Sequence, residues 1–255
     1  MTAPQRPVLA GNWKMNHGPS ETARFFADFL AMNEPADDRT VLFFPPALSF
    51  AAAREAVQGR PDVRLGVQNV YWEKSGAFTG ELSVPMAADA GAEFVLVGHS
   101  ERRHVFGETS AETAKKVRAV LDGGLTPVLC VGETIDERRA GRAEAVVAEQ
   151  LAPVLEILSD AEIGRLVVAY EPVWAIGTGM TATPEDAAAM HHAVREQLAA
   201  AFGVTAADAV PVLYGGSVKP DNAAELMSQP GVDGVLVGGA SLDAQGFAAI
   251  CRATG

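Results

Sequence analysis

Short apolar runs alternate with longer stretches of helical period along the whole 255-residue chain. Candidate strands begin near Val8, Arg39, Val63, Phe94, Thr126, Leu166, Val210 and Gly234. Phe94-Val95-Leu96-Val97 and Val235-Leu236-Val237 are apolar without polar alternation, which suits parallel strands buried on both faces. Helical patterns fill the gaps. Ser20-Glu21-Thr22 opens one that sets Phe25, Phe26, Phe29 and Leu30 on one side. Ser110 reads as the cap of another, with Thr113 at the third helical position, only half of a capping box. Thr183-Pro184-Glu185-Asp186 is a fuller start: a Thr cap, Pro at the first helical position, then acids against the positive helix end. Gly123-Gly124 and Gly203 read as helix stops.

Eight strands, each followed by a helical segment, imply a (β/α)8 barrel. A doubly wound open sheet is the alternative, but the count of eight and the absence of a linker favour closure. No Pro- or Ser-rich linker, low-complexity segment or tight repeat interrupts the pattern, so residues 1–255 read as one domain. An apolar content of 48% fits a globular protein with a large core. The net charge of −12 makes nucleic acid and anionic membranes poor partners. It leaves room for a small phosphorylated substrate held by a local cluster of donors. The two cysteines, Cys130 and Cys251, lack metal-ligand spacing and fit free thiols in a reducing compartment. Cys130 ends an apolar run and reads as a buried small hydrophobe. The segment Met1 to Pro7 has no apolar core of a secretory signal, and no apolar run reaches the ~20 residues that span a bilayer, so the expected location is cytoplasmic.

In such barrels function gathers where the strands end. The first ends in Gly11-Asn12-Trp13-Lys14. Among the lysines Lys14, Lys74, Lys115, Lys116 and Lys219, only Lys14 sits at a strand end in an apolar context. Its ammonium can neutralise a phosphate or a developing oxyanion, with the Asn12 amide beside it; a simple turn with a snorkelling lysine accounts for it equally well. The fourth ends in Gly98-His99-Ser100-Glu101-Arg102-Arg103. Helix amides ahead of His99 would disfavour its imidazolium and leave a neutral hydrogen-bond donor; a hydrogen-bonded core histidine is the plainer account. The sixth ends in Tyr170-Glu171-Pro172-Val173-Trp174-Ala175-Ile176-Gly177-Thr178-Gly179. Glu171 there can serve as a general base, and the apolar residues after it suit a lid with its own packing. Tyr214-Gly215-Gly216-Ser217 and Val237-Gly238-Gly239-Ala240 end the last two strands. One glycine pair is commonly a turn, but pairs after strands seven and eight suit a phosphate held by backbone N–H groups.

Taken together these motifs resemble the triosephosphate isomerase family in order and spacing. The resemblance runs from about Val8 to Ala253, and Tyr170 to Gly179 is its longest match. It implies a single (β/α)8 TIM barrel, a place in glycolysis and gluconeogenesis, and interconversion of dihydroxyacetone phosphate with D-glyceraldehyde 3-phosphate through an enediolate. By the same resemblance Glu171 moves the proton between carbons, neutral His99 polarises the carbonyl, Lys14 stabilises negative charge and Asn12 holds the oxygens. Gly177, Ser217, Gly238 and Gly239 match the phosphate grip, Ile176 and Leu236 match the pair that closes over the base, and Glu101 matches a supporting carboxylate near the lysine. Residues 71–81 resemble a loop that reaches into a neighbouring subunit, with Phe78 and Thr79 at its tip, so a homodimer is implied. Met180 departs from the family, where Lys is frequent at the far hinge of the lid. No cofactor and no metal are implied, because proton transfer beside a carbonyl needs neither.

Other readings fit less well. A metal-dependent epimerase needs a His/Asp ligand cluster at strand ends. The adjacent His191 and His192 lie in a helical pattern, where neighbours point about 100° apart and chelate poorly. A Schiff-base aldolase needs a buried strand lysine, and Lys219 precedes Pro220 in a loop. An inactive scaffold barrel would be expected to lose the base or the lysine, and both are present.

Overall fold

The computed structural model describes residues 4–176, 180 and 182–253. The strands are β1 (Val8–Asn12), β2 (Thr40–Phe44), β3 (Val63–Val67), β4 (Phe94–Val97), β5 (Thr126–Val131), β6 (Val167–Tyr170), β7 (Val212–Tyr214) and β8 (Gly234–Val237). Each runs parallel to the next, and β8 returns to β1 with Val8 opposite Gly234. With partners on both of its edges, β1 rules out an open sheet: the fold is a single (β/α)8 TIM barrel. Two strands start later than their apolar runs. Leu166 N–H closes a 3-10 turn onto Ile163 O, and Val210 N–H bonds back to Ala207 O. Both side chains are buried, but their backbone donors are already used by the preceding turns.

The helices are α1 (Pro19–Met32), α2 (Phe50–Ala56), α3 (Val84–Ala90), α4 (Ser100–His104), α5 (Ser110–Asp122), α6 (Ile135–Arg139), α7 (Ala143–Leu155), α8 (Pro184–Phe202), α9 (Val204–Ala209), α10 (Ala223–Met227) and α11 (Ala244–Arg252). The stripe predicted for α1 buries Phe25, Phe26 and Phe29 around Phe43 and Trp13, with Leu30 at its margin. The α5 start differs from expectation by one residue. Thr109, not Ser110, is the cap, and Glu112 completes the box by accepting the Thr109 N–H at 2.8 Å. Shifting the cap back by one brings a Glu to the third position, so both ends of the box are filled. Thr183 caps α8 as predicted, with Asp186 accepting its N–H.

Alternate strand residues divide between two cores. Val8, Ala10, Leu42, Phe44, Leu96, Val128, Cys130, Ala169 and Leu213 fill the barrel interior. Their neighbours along the same strands pack outward against the helices. Both strand faces are therefore apolar, as the runs without alternation require. Cys130 and Cys251 are both fully buried. Among the described residues no helix is long and apolar enough to cross a membrane.

Candidate active site

At the end of β1 the Asn12 side chain turns back on its own chain, accepting the Lys14 N–H at 3.0 Å. That turn puts Lys14 in the left-handed region, with φ 52°, a conformation costing a residue with a Cβ about 1–2 kcal/mol. Gln68 holds it there, donating from Nε2 to the Lys14 carbonyl (2.7 Å) and to the Phe44 carbonyl (2.9 Å). The Lys14 ammonium donates to Glu101 at 2.7 Å. Glu101 thus supports the lysine from α4, without lining the cavity described below.

Beyond β4, Gly98 adopts φ 69° and donates its N–H to buried Glu108. The chain then enters α4 with His99 as the cap. His99 Nδ1 accepts the Glu101 N–H at 3.2 Å, so its proton belongs on Nε2, which lies 2.9 Å from Glu171. The amide predicted to face the ring is present, and it holds Nδ1 as an acceptor.

Glu171 follows β6 and is almost fully buried. Its carboxylate accepts from His99 Nε2 and from the Ser100 N–H at 2.8 Å. Burial pushes its pKa up, but the charge and hydrogen bond of His99, the Ser100 amide and Lys14 outweigh burial and hold it below the usual value. For His99 burial pulls down, and the Glu171 charge and hydrogen bond more than compensate, so its pKa is raised. Each shift depends on the partner, and both reverse if the carboxylate turns away. Cys130 lies nearby, its thiol pushed well up first by burial and then by the Glu171 charge, which leaves it a poor nucleophile.

The 3-10 turn Val173–Ala175 after Glu171 is moored to Glu133, which accepts Trp174 Nε1–H at 2.8 Å, the Tyr170 hydroxyl at 3.0 Å and Arg138 at 3.3 Å. Ile176 follows. Gly177, predicted to grip phosphate, lies outside the described residues, as do Thr178 and Gly179. The loop after β7 is braced by Asn222, which accepts the Lys219 N–H and donates to the Ser217 carbonyl.

These elements enclose a cavity of about 310 Å³ at the C-terminal ends of the strands. Asn12, Lys14, His99, Glu171, Ile176, Ser217, Leu236, Gly238 and Gly239 all line it. Phe78 and Thr79 do not. They stand on the exposed loop after β3, where Tyr71 stacks on Trp72 and packs on Phe78. Two larger hollows, about 590 and 640 Å³, open near the N-terminal ends of β2 and β3. The guanidinium groups of Arg60 and Arg64 there are paired with Asp62 and Glu93.

A triosephosphate isomerase family model matches residues 7–254. The chain belongs to the triosephosphate isomerase family. It is 52% identical to the triosephosphate isomerase of Solibacter usitatus (strain Ellin6076), over 96% of this chain and 98% of that protein. It is 52% identical to that of Roseiflexus sp. (strain RS-1), over 94% of each chain. The enzyme of Symbiobacterium thermophilum is 50% identical, over 97% of this chain and 96% of its own. Membership places the chain among the isomerases.

Several residues around this cavity were not singled out from sequence. Ser100 contributes only a backbone N–H, which no side-chain pattern reveals. Gln68, Glu133 and Gln150 act from other units of the barrel. Lys219, weighed only as an aldolase lysine, is exposed and lines the cavity rim. His191 and His192 diverge: His191 is buried against the Gly231 carbonyl, and His192 is exposed beside Glu196.

Proposed function

We propose that this isomerase interconverts dihydroxyacetone phosphate and D-glyceraldehyde 3-phosphate by Glu171-mediated proton transfer through an enediolate. The observation that carries the reading is convergence. A carboxylate, an imidazole N–H and an ammonium reach one cavity from three strand ends, opposite the paired-glycine loops after β7 and β8. In the proposed cycle the phosphate settles on backbone N–H groups of Gly238 and Gly239, with Ser217 and Gly177. Glu171 leaves Ser100 and His99 and turns toward the substrate carbons. It thereby sheds the interactions that depress its pKa while burial, which raises it, remains. The base strengthens as it meets its proton. His99, with Nδ1 occupied by the Glu101 amide, has Nε2–H free to donate to the carbonyl oxygen. Lys14 and Asn12 stabilise the developing oxyanion. Ile176 and Leu236 close over the carboxylate and exclude water. No cofactor or metal takes part.

The chain is proposed to act as one domain, in the cytoplasm, as a homodimer. The dimer is supported by apolar side chains exposed in the segments that follow the first four strands: Met15 (95%), Leu48 (88%), Met86 on α3 (56%), Val105 (71%) and Phe106 (66%). Phe78 and Thr79 extend beside them.

The test is a coupled assay of D-glyceraldehyde 3-phosphate isomerisation with chelator present, wild type beside Glu171→Gln, and sedimentation of both. Chelator-resistant turnover that falls at least about 10²-fold in the variant is expected, from a species of twice the monomer mass. A Glu171→Gln enzyme as fast as wild type overturns the assignment of the base, and a fully active monomer overturns the dimer.

A further inference from the structure

Regular pairing of β5 with β6 stops at Val131 opposite Tyr170. One residue on, both peptide groups of Gly132 bond to a single side chain instead of a strand. Gln150, on α7, accepts the Gly132 N–H at 2.8 Å and donates from Nε2 to the Gly132 carbonyl at 3.0 Å. Both bonds are buried. On either side of Gly132 the same segment holds the chain around Glu171. The Val131 carbonyl accepts the Glu171 N–H at 2.7 Å, and the Glu133 carbonyl accepts the Val173 N–H at 3.1 Å. Gly132 lies so close to the Glu171 backbone that a Cβ added there would overlap the Glu171 carbonyl. Residues 131–133 are therefore the bed on which residues 171–173 rest, and Gln150 fixes the centre of that bed.

We propose that Gln150 is a positioning residue for the isomerisation. Through Gly132 it sets where the Glu171 backbone sits, and so where the carboxylate can reach. The proposal rests on Glu171 being the base. An amide is suited to the role because it offers one acceptor and one donor at the spacing of a strand's own ladder. Gln150→Leu keeps the bulk and loses both bonds. Gln150→Glu keeps the acceptor, and regains the donor only when its carboxyl is protonated.

Steady-state kinetics with inorganic phosphate as competitive inhibitor tests this. Displacement of a reacting group by ~1 Å costs about 10²-fold, so Gln150→Leu should lose roughly tenfold to hundredfold in kcat. The inhibition constant of phosphate should stay within about twofold, because Ser217, Gly238 and Gly239 are untouched. For Gln150→Glu, the ratio of its kcat to that of wild type should rise as pH falls from about 8 to about 6, as the carboxyl regains its proton. Wild-type kcat in Gln150→Leu, or equal losses of kcat and phosphate affinity, overturns the proposal. Should Gln150→Leu fail to fold, a pH-independent ratio for Gln150→Glu overturns it alone. Glu171→Gln run alongside separates the two ideas: retained activity there refutes the base itself, whereas its collapse beside an unaffected Gln150→Leu refutes only the positioning role.

Discussion

Replacing Glu133 by Ala removes the acceptor on which three donors converge ahead of Ile176. The Tyr170 hydroxyl is fully buried and bonds Glu133 at 3.0 Å, and Trp174 Nε1–H bonds it at 2.8 Å. Burial and the Glu133 charge drive the tyrosine pKa far up, so the hydroxyl stays protonated and needs an acceptor. Leaving it unsatisfied costs about 1–3 kcal/mol, and the half-buried indole adds about 1 kcal/mol. Arg138 loses a 3.3 Å contact but keeps Asp186 and the Trp174 ring, so it contributes little. The expected loss is roughly 3 kcal/mol. Glu133→Gln keeps the shape and an acceptor oxygen and loses only the charge assistance, about 1 kcal/mol. Urea unfolding at fixed protein concentration measures both, with Tm as a second readout at about 2–4 °C per kcal/mol. The functional counterpart is a larger fall of kcat in Glu133→Ala than in Glu133→Gln, because the turn Val173–Ala175 loses its mooring. Glu133→Ala within about 1 kcal/mol of wild type, with an unchanged m-value, would refute the reasoning.

Two further outcomes are expected. Burial pulls the His191 pKa down to about 4, with Nδ1 donating to the Gly231 carbonyl. Between that value and its ordinary one, about 6.5, the unfolded chain binds a proton that the native state refuses. Stability should therefore fall by about 3 kcal/mol as pH drops through this window, and His191→Asn should flatten that part of the curve; an unchanged slope would assign the loss to other groups. Lys219→Met should lower kcat/KM by roughly threefold to tenfold at low ionic strength, because the rim cation helps an acidic protein draw in a phosphate dianion. The gap should close near ~0.5 M salt with kcat unchanged; a salt-independent loss would count against steering.

The barrel was legible because its evidence is local. Unalternated apolar runs marked strands covered on both faces, and Thr183-Pro184 marked a helix start within four residues. Where neighbouring residues compete the reading slipped. Ser110 and Thr109 are both competent caps, and the reach of Glu112 decided for Thr109. The candidate site was legible by position, since Asn12 ends a strand, His99, Glu171, Ser217 and Gly238 follow strands, and the fold gathers strand ends, although Phe78 and Thr79 stand away from the cavity. The state of each group was not, because protonation depends on neighbours that only folding supplies.

Sequence alone thus determined the eight strands nearly to their bounds, several helix starts, an α/β architecture with closure favoured over an open sheet, and which polar side chains stand at strand ends, since these follow from period, caps and glycines within a few positions; the pairing of β8 with β1 decided the closure. Tertiary structure alone decided what those side chains touch. The Ser100 amide meets Glu171 across 71 residues, Tyr170 meets Glu133 across 37, and Gln150 meets Gly132 across 18. The first two join a backbone or buried polar group to a partner from another unit of the barrel, and the third ties a helix back to the end of the strand that precedes it. Such groups must be satisfied once water is gone, but no local pattern names the partner; only closure of the barrel brings it within bonding distance.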